Sequence, residues 1–597
     1  MKRKILWAGL SFLLVVSLLL SSCGPAVEEE VVVEEEEVVE EEEEEEEEVV
    51  TPEEGVPQYG GTINVLDLHI NIGITDPSNP DIKIGHFNAT QYLKAWQENP
   101  FQGDFEKYGA RGTGEYDFQL QGGVPEEYLR GTFVESWEVL PDRLVWNIKA
   151  DPPVWWHDNP YLGFDFQARP VTAEDVVADL LYFKSGYGKK RFEELAITDI
   201  YAEGDSVVME WERFNVNWVF LIGTEDRTLL AAPEMEIDNR MERWDCQVGT
   251  GPWMIKEYII GSHMELVRNP NYWDTTIIDG VEYEIPFMDG LFMYIVPDAA
   301  TYTAALRTAV IDFCYKLPYV YWEDIDRVTP QIQSMKTAAA SGCSIRIDHS
   351  EPPLDNLQVR RALVIGTDMS AYAELEGSEH LSPHFLPVSP LYTNAYTPLE
   401  DLPASLQELY VYDAAKAKQM IIDAGYPDGF SIRLQSDTSA FSIEKAALVK
   451  DQWEEIGVDV EIEIFDQVVW RQNLYDLAHD LSISMGGGGQ ELYNQLMTHT
   501  TGHWTNWSGI SDPVLDDMVH DMAITIDTNE RIVKCKEISL YIAELVPYVP
   551  LNQTMGGHYW WPWIKNYYGE RNIAENVFHP LLAHAWLDQD LKKEMGY

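Results

Sequence analysis

Cys23 is the residue whose type and setting most directly imply chemistry. It closes the run Leu20-Ser21-Ser22-Cys23, behind Lys2, Arg3 and Lys4 and an uncharged, mostly apolar stretch from Ile5 to Leu20. A basic start, a short hydrophobic segment and small residues are what an export signal needs, and the apolar run is too short for a comfortable membrane span. Cleavage before Cys23 makes its thiol an acceptor for lipid, and several acyl chains hold a protein stably where one binds only marginally. The alternative is an ordinary cleaved signal with an incidental cysteine. Other chemistry-bearing residues are dispersed. Cys246, Cys314, Cys343 and Cys535 contain no CxxC pair, so two disulfides or four free thiols both fit. His157 beside Asp158 falls short of a metal-ligand set. The chain has no Gly-x-Ser-x-Gly elbow, no His-Glu-x-x-His, no phosphate loop and no dinucleotide fingerprint. No catalytic residue, cofactor or metal is expected, and the chain reads as a non-enzyme. A secreted surface hydrolase is the alternative from another class.

Charge and length set the frame around these residues. Between 28 and 48 the sequence is glutamate interrupted only by five valines, which reads as a solvated, self-repelling tether. Leaving out its sixteen glutamates and the three basic residues of the start, 38 Lys+Arg still face 85 Asp+Glu. So acidic a body excludes nucleic acid as a bulk-surface partner. Some 540 residues follow Gly55, too many for one core, with no second apolar run of membrane-spanning length.

The elements that must position a site read as mixed α/β. Gly60-Gly61 turns into a strand at Thr62–Leu66, and 133–139 with 143–149 alternates as a hairpin about Pro141-Asp142. Thr172 with Asp175 caps a helix, and 197–211 is a second meander. Asp298–Val310 reads as a helix. Asp413 caps another that Gly425 stops, and a helix over roughly Ile443–Ile456 ends at Gly457 and feeds a strand over Val458–Phe465.

The order of these pieces carries a resemblance. They are Gly60-Gly61-Thr62; Glu135-Ser136-Trp137-Glu138; Trp156-His157-Asp158 with Pro170–Val176; Gly249–Trp253; Arg268–Trp273; Pro352–Asn356 with Val359–Leu363; and Ala424–Phe430. Together, behind a start similar to a bacterial lipobox, they resemble the extracytoplasmic solute-binding proteins of peptide-type ABC importers. The resemblance implies a two-lobe periplasmic-binding-protein-like fold closing like a hinge. Lobe I comprises 56–100, 245–340 and 556–597, an inserted domain II covers 101–244, and lobe II covers 341–555. Signal peptide (1–23) and acidic linker (24–55) precede them. It further implies a monomer tethered outside the cell membrane by its lipid, capturing a peptide and delivering it to a permease.

The same resemblance supplies a ligand set. Peptide binders of this family hold the ligand's amino terminus with an aspartate after a lobe II strand. The corresponding stretch here is Gly486-Gly487-Gly488-Gly489-Gln490-Glu491, without that aspartate. Gly488, Gly489 and Gln490 offer backbone and amide groups, and Glu491 is a substitute anchor from a shifted position. Trp504 and Trp507 offer flat faces, so an oligosaccharide rivals a peptide as ligand. Core packing is the competing reading of each tryptophan, including Trp560, Trp561 and Trp563.

Overall fold

Two helices in the later half of the chain show how its layers form. Asp413 accepts a hydrogen bond from Lys416 N at 2.9 Å and opens the helix Ala414–Asp423, which buries Ala417 and Ile421 on one face. Gly425, at φ 103°, then turns the chain into the strand Phe430–Ser436. Ser439 caps the helix Ala440–Glu455, which therefore starts three residues before the expected Ile443. Ala446, Val449 and Trp453 are its buried apolar residues, and Gly457 leads into Val458–Ile464, parallel to the first strand. The turns at Gly429 and Gly457 meet so closely that a Cβ on Gly429 would lie 2.0 Å from the Gly457 carbonyl oxygen.

The computed structural model describes residues 55–67, 93–119, 123–225, 227–259, 261–296, 298–317, 319–375, 387–388, 392, 394–485, 492–575 and 578–597. Cys23, the glutamate tract, Gly488, Gly489, Gln490 and Glu491 lie outside the described residues. A ten-stranded mixed sheet runs through the molecule. Its strands, in spatial order, are Trp253–Ile259, His263–Arg268, Gly290–Tyr294, Thr62–Asp67, Phe313–Leu317, Tyr548–Trp560, Gln333–Ile347, Leu481–Met485, Phe430–Ser436 and Val458–Ile464.

Two long antiparallel strands tie the halves of this sheet together. Gln333–Ala338 pairs with Met555–Trp560 beside the strand Phe313–Leu317, whereas Cys343–Ile347 pairs with both Tyr548–Asn552 and Leu481–Met485. Between these stretches the register shifts at Ala338/Gly342. A separate four-stranded antiparallel sheet contains the expected hairpin, Val134–Val139 with Arg143–Ile148, and the meander Ile197–Glu203 with Ser206–Trp211. The helix Ala173–Ser185 carries the full Thr172/Asp175 capping box. The expected helix after Asp298 spans Ala299–Arg307.

The apolar residues divide into two cores. One is dominated by aromatics, with Trp96, Trp146, Trp156, Trp253, Trp561 and Trp586 fully buried. The other is mostly aliphatic and gathers around Ile345, Val359, Leu434 and Trp453. The helices Leu492–Met497, Pro513–Ala523 and Thr528–Leu545 bury most of their apolar side chains in the first core. Cys246, Cys314, Cys343 and Cys535 are all buried, with no disulfide among the described residues. No helix among the described residues is long and apolar enough to cross a membrane.

Candidate functional site

A cavity of about 330 Å³ lies between two walls distant in sequence. The first comes from 114–117 and 124–128 with Val216 and Val219. The second comes from Tyr392, Asn394, Ala395, Leu492, Tyr493 and the helices carrying Met522, Arg531, Ile532 and Cys535. Its size falls within the range of small-molecule sites, about 300–1,000 Å³.

Aromatic stacking shapes the first wall. The Tyr116 ring stacks on Tyr128 at 4.6 Å and 16° and meets Phe118 edge-on at 4.8 Å. Phe118 adopts a left-handed φ of 56°, and its carbonyl accepts from the backbone N–H groups of Arg571 and Asn572 at 3.0 and 3.1 Å. Gly103 makes room for this aromatic, since a Cβ there would lie 2.3 Å from the Phe118 ring. Pro125 then enters the short 3₁₀ turn Glu126–Tyr128.

On the second wall, Asp527 caps the helix Thr528–Leu545 through Glu530 N at 2.8 Å. The cap places Arg531 in the first turn. Its guanidinium donates to the carbonyl oxygens of Thr525 and Ile526 at 3.1 and 2.9 Å and to Thr528 Oγ1 at 3.2 Å, and reaches across to Glu126 Oε2 at 3.4 Å. The walls also meet where Val216 N donates to Ala523 O at 2.9 Å and where Asn217 Nδ2 lies 3.8 Å from Met497 Sδ.

Among the described residues, four carboxylates, Glu115, Asp117, Glu126 and Glu127, line the cavity against one cation, Arg531. Burial raises the Glu126 carboxyl above its ordinary value, and Arg531 pulls the other way. Desolvation also raises Asp117, opposed by backbone hydrogen bonds. Burial, with Asp117 and Glu127 nearby, keeps Tyr116 a neutral phenol, and its buried hydroxyl has no hydrogen-bond partner.

Trp504 and Trp507 come together around Tyr475, with ring centroids 5.7 and 6.2 Å from it. Trp504 is 46% exposed. The Arg346 guanidinium lies 5.7 Å from the Trp507 ring, and neither tryptophan lines the cavity. Trp561 and Trp563 stack at 4.5 Å in the core, with Trp560 also buried. Asn506 is buried and holds its own loop through Thr500 O and Ile510 O.

The motif residues serve the scaffold. His157 Nε2 accepts from Gly249 N at 3.0 Å, and Gly249 O accepts from His157 N at 3.0 Å, so two of the ordered motifs lock onto each other. Desolvation lowers His157 to about 3 and keeps it a neutral acceptor. A Cβ on Gly249 would lie 1.7 Å from Trp96 O, which is why glycine stands there. Arg360 donates to the carbonyls of Leu354, Asp355 and Leu545, and Arg361 reaches Glu544 at 3.5 Å. No cluster of metal-ligating side chains occurs among the described residues.

Sequence reasoning did not reach Tyr116, Asp117, Glu126 or Arg531. The segments 114–119 and 123–128 have little regular structure and hence no periodicity to read. Arg531 looks like any basic residue near an exposed helix start. The alternation of tyrosine with acids in Glu115-Tyr116-Asp117 and Glu126-Glu127-Tyr128 was the available signal.

The family described as bacterial extracellular solute-binding proteins, family 5, middle part, matches residues 129–507. The dipeptide-binding protein of Escherichia coli K12 is 23% identical over 451 residues, covering 69% of this chain and 78% of that protein. An ABC transporter-associated periplasmic binding protein of Helicobacter pylori, solved with the peptide STSA, aligns with TM-score 0.68 and 17% identity over 89% of this chain and 99% of its own. A periplasmic binding protein of Agrobacterium tumefaciens solved with agropinic acid also reaches TM-score 0.68, at 17% identity, over 88% of this chain and 100% of its own. With a two-wall cavity, a mixed sheet crossed by two long strands and a family match over most of its length, this chain belongs to the extracellular solute-binding proteins of family 5, the substrate-binding components of ABC importers.

Proposed function

We propose that the protein is a lipid-anchored receptor that binds a peptide between its two walls, closes on it and presents it to a membrane permease. The observation that carries this reading is the cavity itself, built from residues about 400 positions apart and spanned by the Glu126–Arg531 ion pair. A ligand stabilises a closed form only through its preference for that form, so contacts from both walls are what such a receptor requires. The strands Gln333–Ile347 and Tyr548–Trp560, with their shifted register, are the proposed hinge. The division into a discontinuous lobe I, an inserted domain II and a lobe II is part of the same proposal, with the helices from 492 to 545 contributing the second wall.

Cys23 is the proposed lipid attachment point and the glutamate tract the tether. The receptor acts as a monomer outside the membrane, without covalent chemistry. Gly488, Gly489, Gln490 and Glu491 immediately precede the cavity residues Leu492 and Tyr493 in sequence, which supports them as ligand contacts. An oligosaccharide is the second reading, favoured by the exposed Trp504 face beside Tyr475. A thermal-shift series with short peptides and oligosaccharides decides between them. A melting point that rises with peptide concentration supports the first reading. Turnover of a chromogenic ester or glycoside with no binding overturns both.

A further inference from the structure

A loop and two helix ends meet where the walls touch. The helix Pro513–Ala523 leaves the carbonyl of Ala523 without a donor from its own turns, as the end of a helix must. That carbonyl accepts the backbone N–H of Val216, on the opposite wall, at 2.9 Å. Just past the same helix end, the Thr525 and Ile526 carbonyls accept from Arg531, and a cation is favoured at this negative end of a helix. Arg531 is thereby held within reach of Glu126 Oε2, 3.4 Å away. The facing segment is equally fixed. Asn215 donates to Glu194 O at 3.1 Å and accepts from Asn217 N at 3.0 Å, while Asn217 Nδ2 donates to Glu194 Oε1 at 2.8 Å and lies 3.8 Å from Met497 Sδ. Along the same seam, Tyr187 and Arg227 lie within electrostatic reach of Tyr475, and Lys190 of His503.

We infer that this seam, Val216 with Ala523 and Glu126 with Arg531, is a latch that holds the closed form, and that Arg531 and Asn217 are positioning residues for it. The inference rests on the receptor reading and gives the proposed inserted domain, 101–244, its part in that receptor. Every first-wall residue of the seam falls in that segment, and every second-wall residue in 475–531. The inserted domain is then the jaw that meets lobe II, while the long paired strands supply the turning point. Each bond is weak in net terms, because parting the walls hands its donor and acceptor to water, so the latch yields without unfolding. Both walls carry their polar groups already fixed, so little side-chain freedom is lost on closing.

Hydrogen exchange of the unliganded full chain, read by mass spectrometry of its fragments, tests this at the Val216 amide. The native chain is compared with Glu126→Gln, Arg531→Gln and the double variant. In the native chain Val216 should exchange faster than the amides of Ser206–Trp211, a strand paired on both sides within the same wall, because the seam opens without unfolding. Each single variant should speed Val216 by about threefold, with the strand unchanged. The double variant should be no faster than the faster single, because both changes remove one interaction. Three results overturn the latch: Val216 exchanging no faster than the strand in the native chain, no change at Val216 in either single variant, or a double variant whose effect is the product of the two singles. The native comparison needs no variant, so it decides even where a substitution prevents folding. No ligand enters these measurements, so failure of every peptide to raise the melting point overturns the receptor reading while the latch result stands by itself.

Discussion

At the scale of single residues, a buried cluster of charges gathers around His584, none of whose members lines the cavity. Its Nδ1 is 2.9 Å from Glu106 Oε1 and its Nε2 3.6 Å from Asp274 Oδ2, with Arg130 donating to both Asp274 oxygens and Arg111 near Glu106 and Glu570. Burial alone would lower the imidazole's pKa, but Asp274 and Glu106 outweigh it and raise it above 6.5. Burial would likewise raise Glu106, yet His584 and Arg111 bring it down to about 2. The histidine's contribution is therefore complete below pH 6.5 and fades as pH climbs through its raised value. The glutamate's is complete above its ordinary value and is lost as pH falls towards 2. His584→Gln leaves the carboxylates short of a cation and should cost about 3 kcal/mol near pH 6, with a smaller loss at pH 9, in urea denaturation at the two pH values. An equal loss at both would show that the imidazole is neutral in the folded protein. None of this was legible in the sequence, because Glu106, Asp274 and His584 are brought together only by tertiary folding. His157 was legible as a motif member, but its task, accepting the Gly249 N–H, was not.

At the scale of elements, legibility follows local signals. Thr172 with Asp175, Asp298, Asp413 and the glycines at 425 and 457 marked their elements because caps and left-handed turns depend on side chains within a few residues. Asp413→Ala should cost about 1 kcal/mol through loss of the hydrogen bond from Lys416 N, seen as a lower urea midpoint with an unchanged slope. A change in slope instead would point to a less compact folded or unfolded state. The long strands Gln333–Ile347 and Tyr548–Trp560 were harder to read, since their partners are other strands far along the chain. The tryptophans illustrate the same limit. Trp504 and Trp561 look alike in sequence, yet one is 46% exposed and the other fully buried.

At the scale of the whole molecule, the order of motifs was enough to give the family and its α/β architecture, whereas the cavity was not, because its walls meet only when segments about 400 residues apart come together. Those walls include Cys535, whose Sγ lies 3.0 Å from Met522 Sδ and which is the one among the four described cysteines that borders the cavity. With no disulfide holding it, this thiol offers a built-in clock for the proposed opening of the walls. On the proposed hinge motion, a small alkylating reagent should reach it each time the walls part, so its modification rate should report the open population, with the other three buried thiols as internal references for global unfolding. Ligand should slow alkylation of Cys535 and leave Cys314 and Cys343 unchanged in peptide mass mapping, while equal slowing at all sites would mean that the reagent enters through unfolding. The same chain would thus carry a kinetic readout of the proposed gating, without any label being introduced.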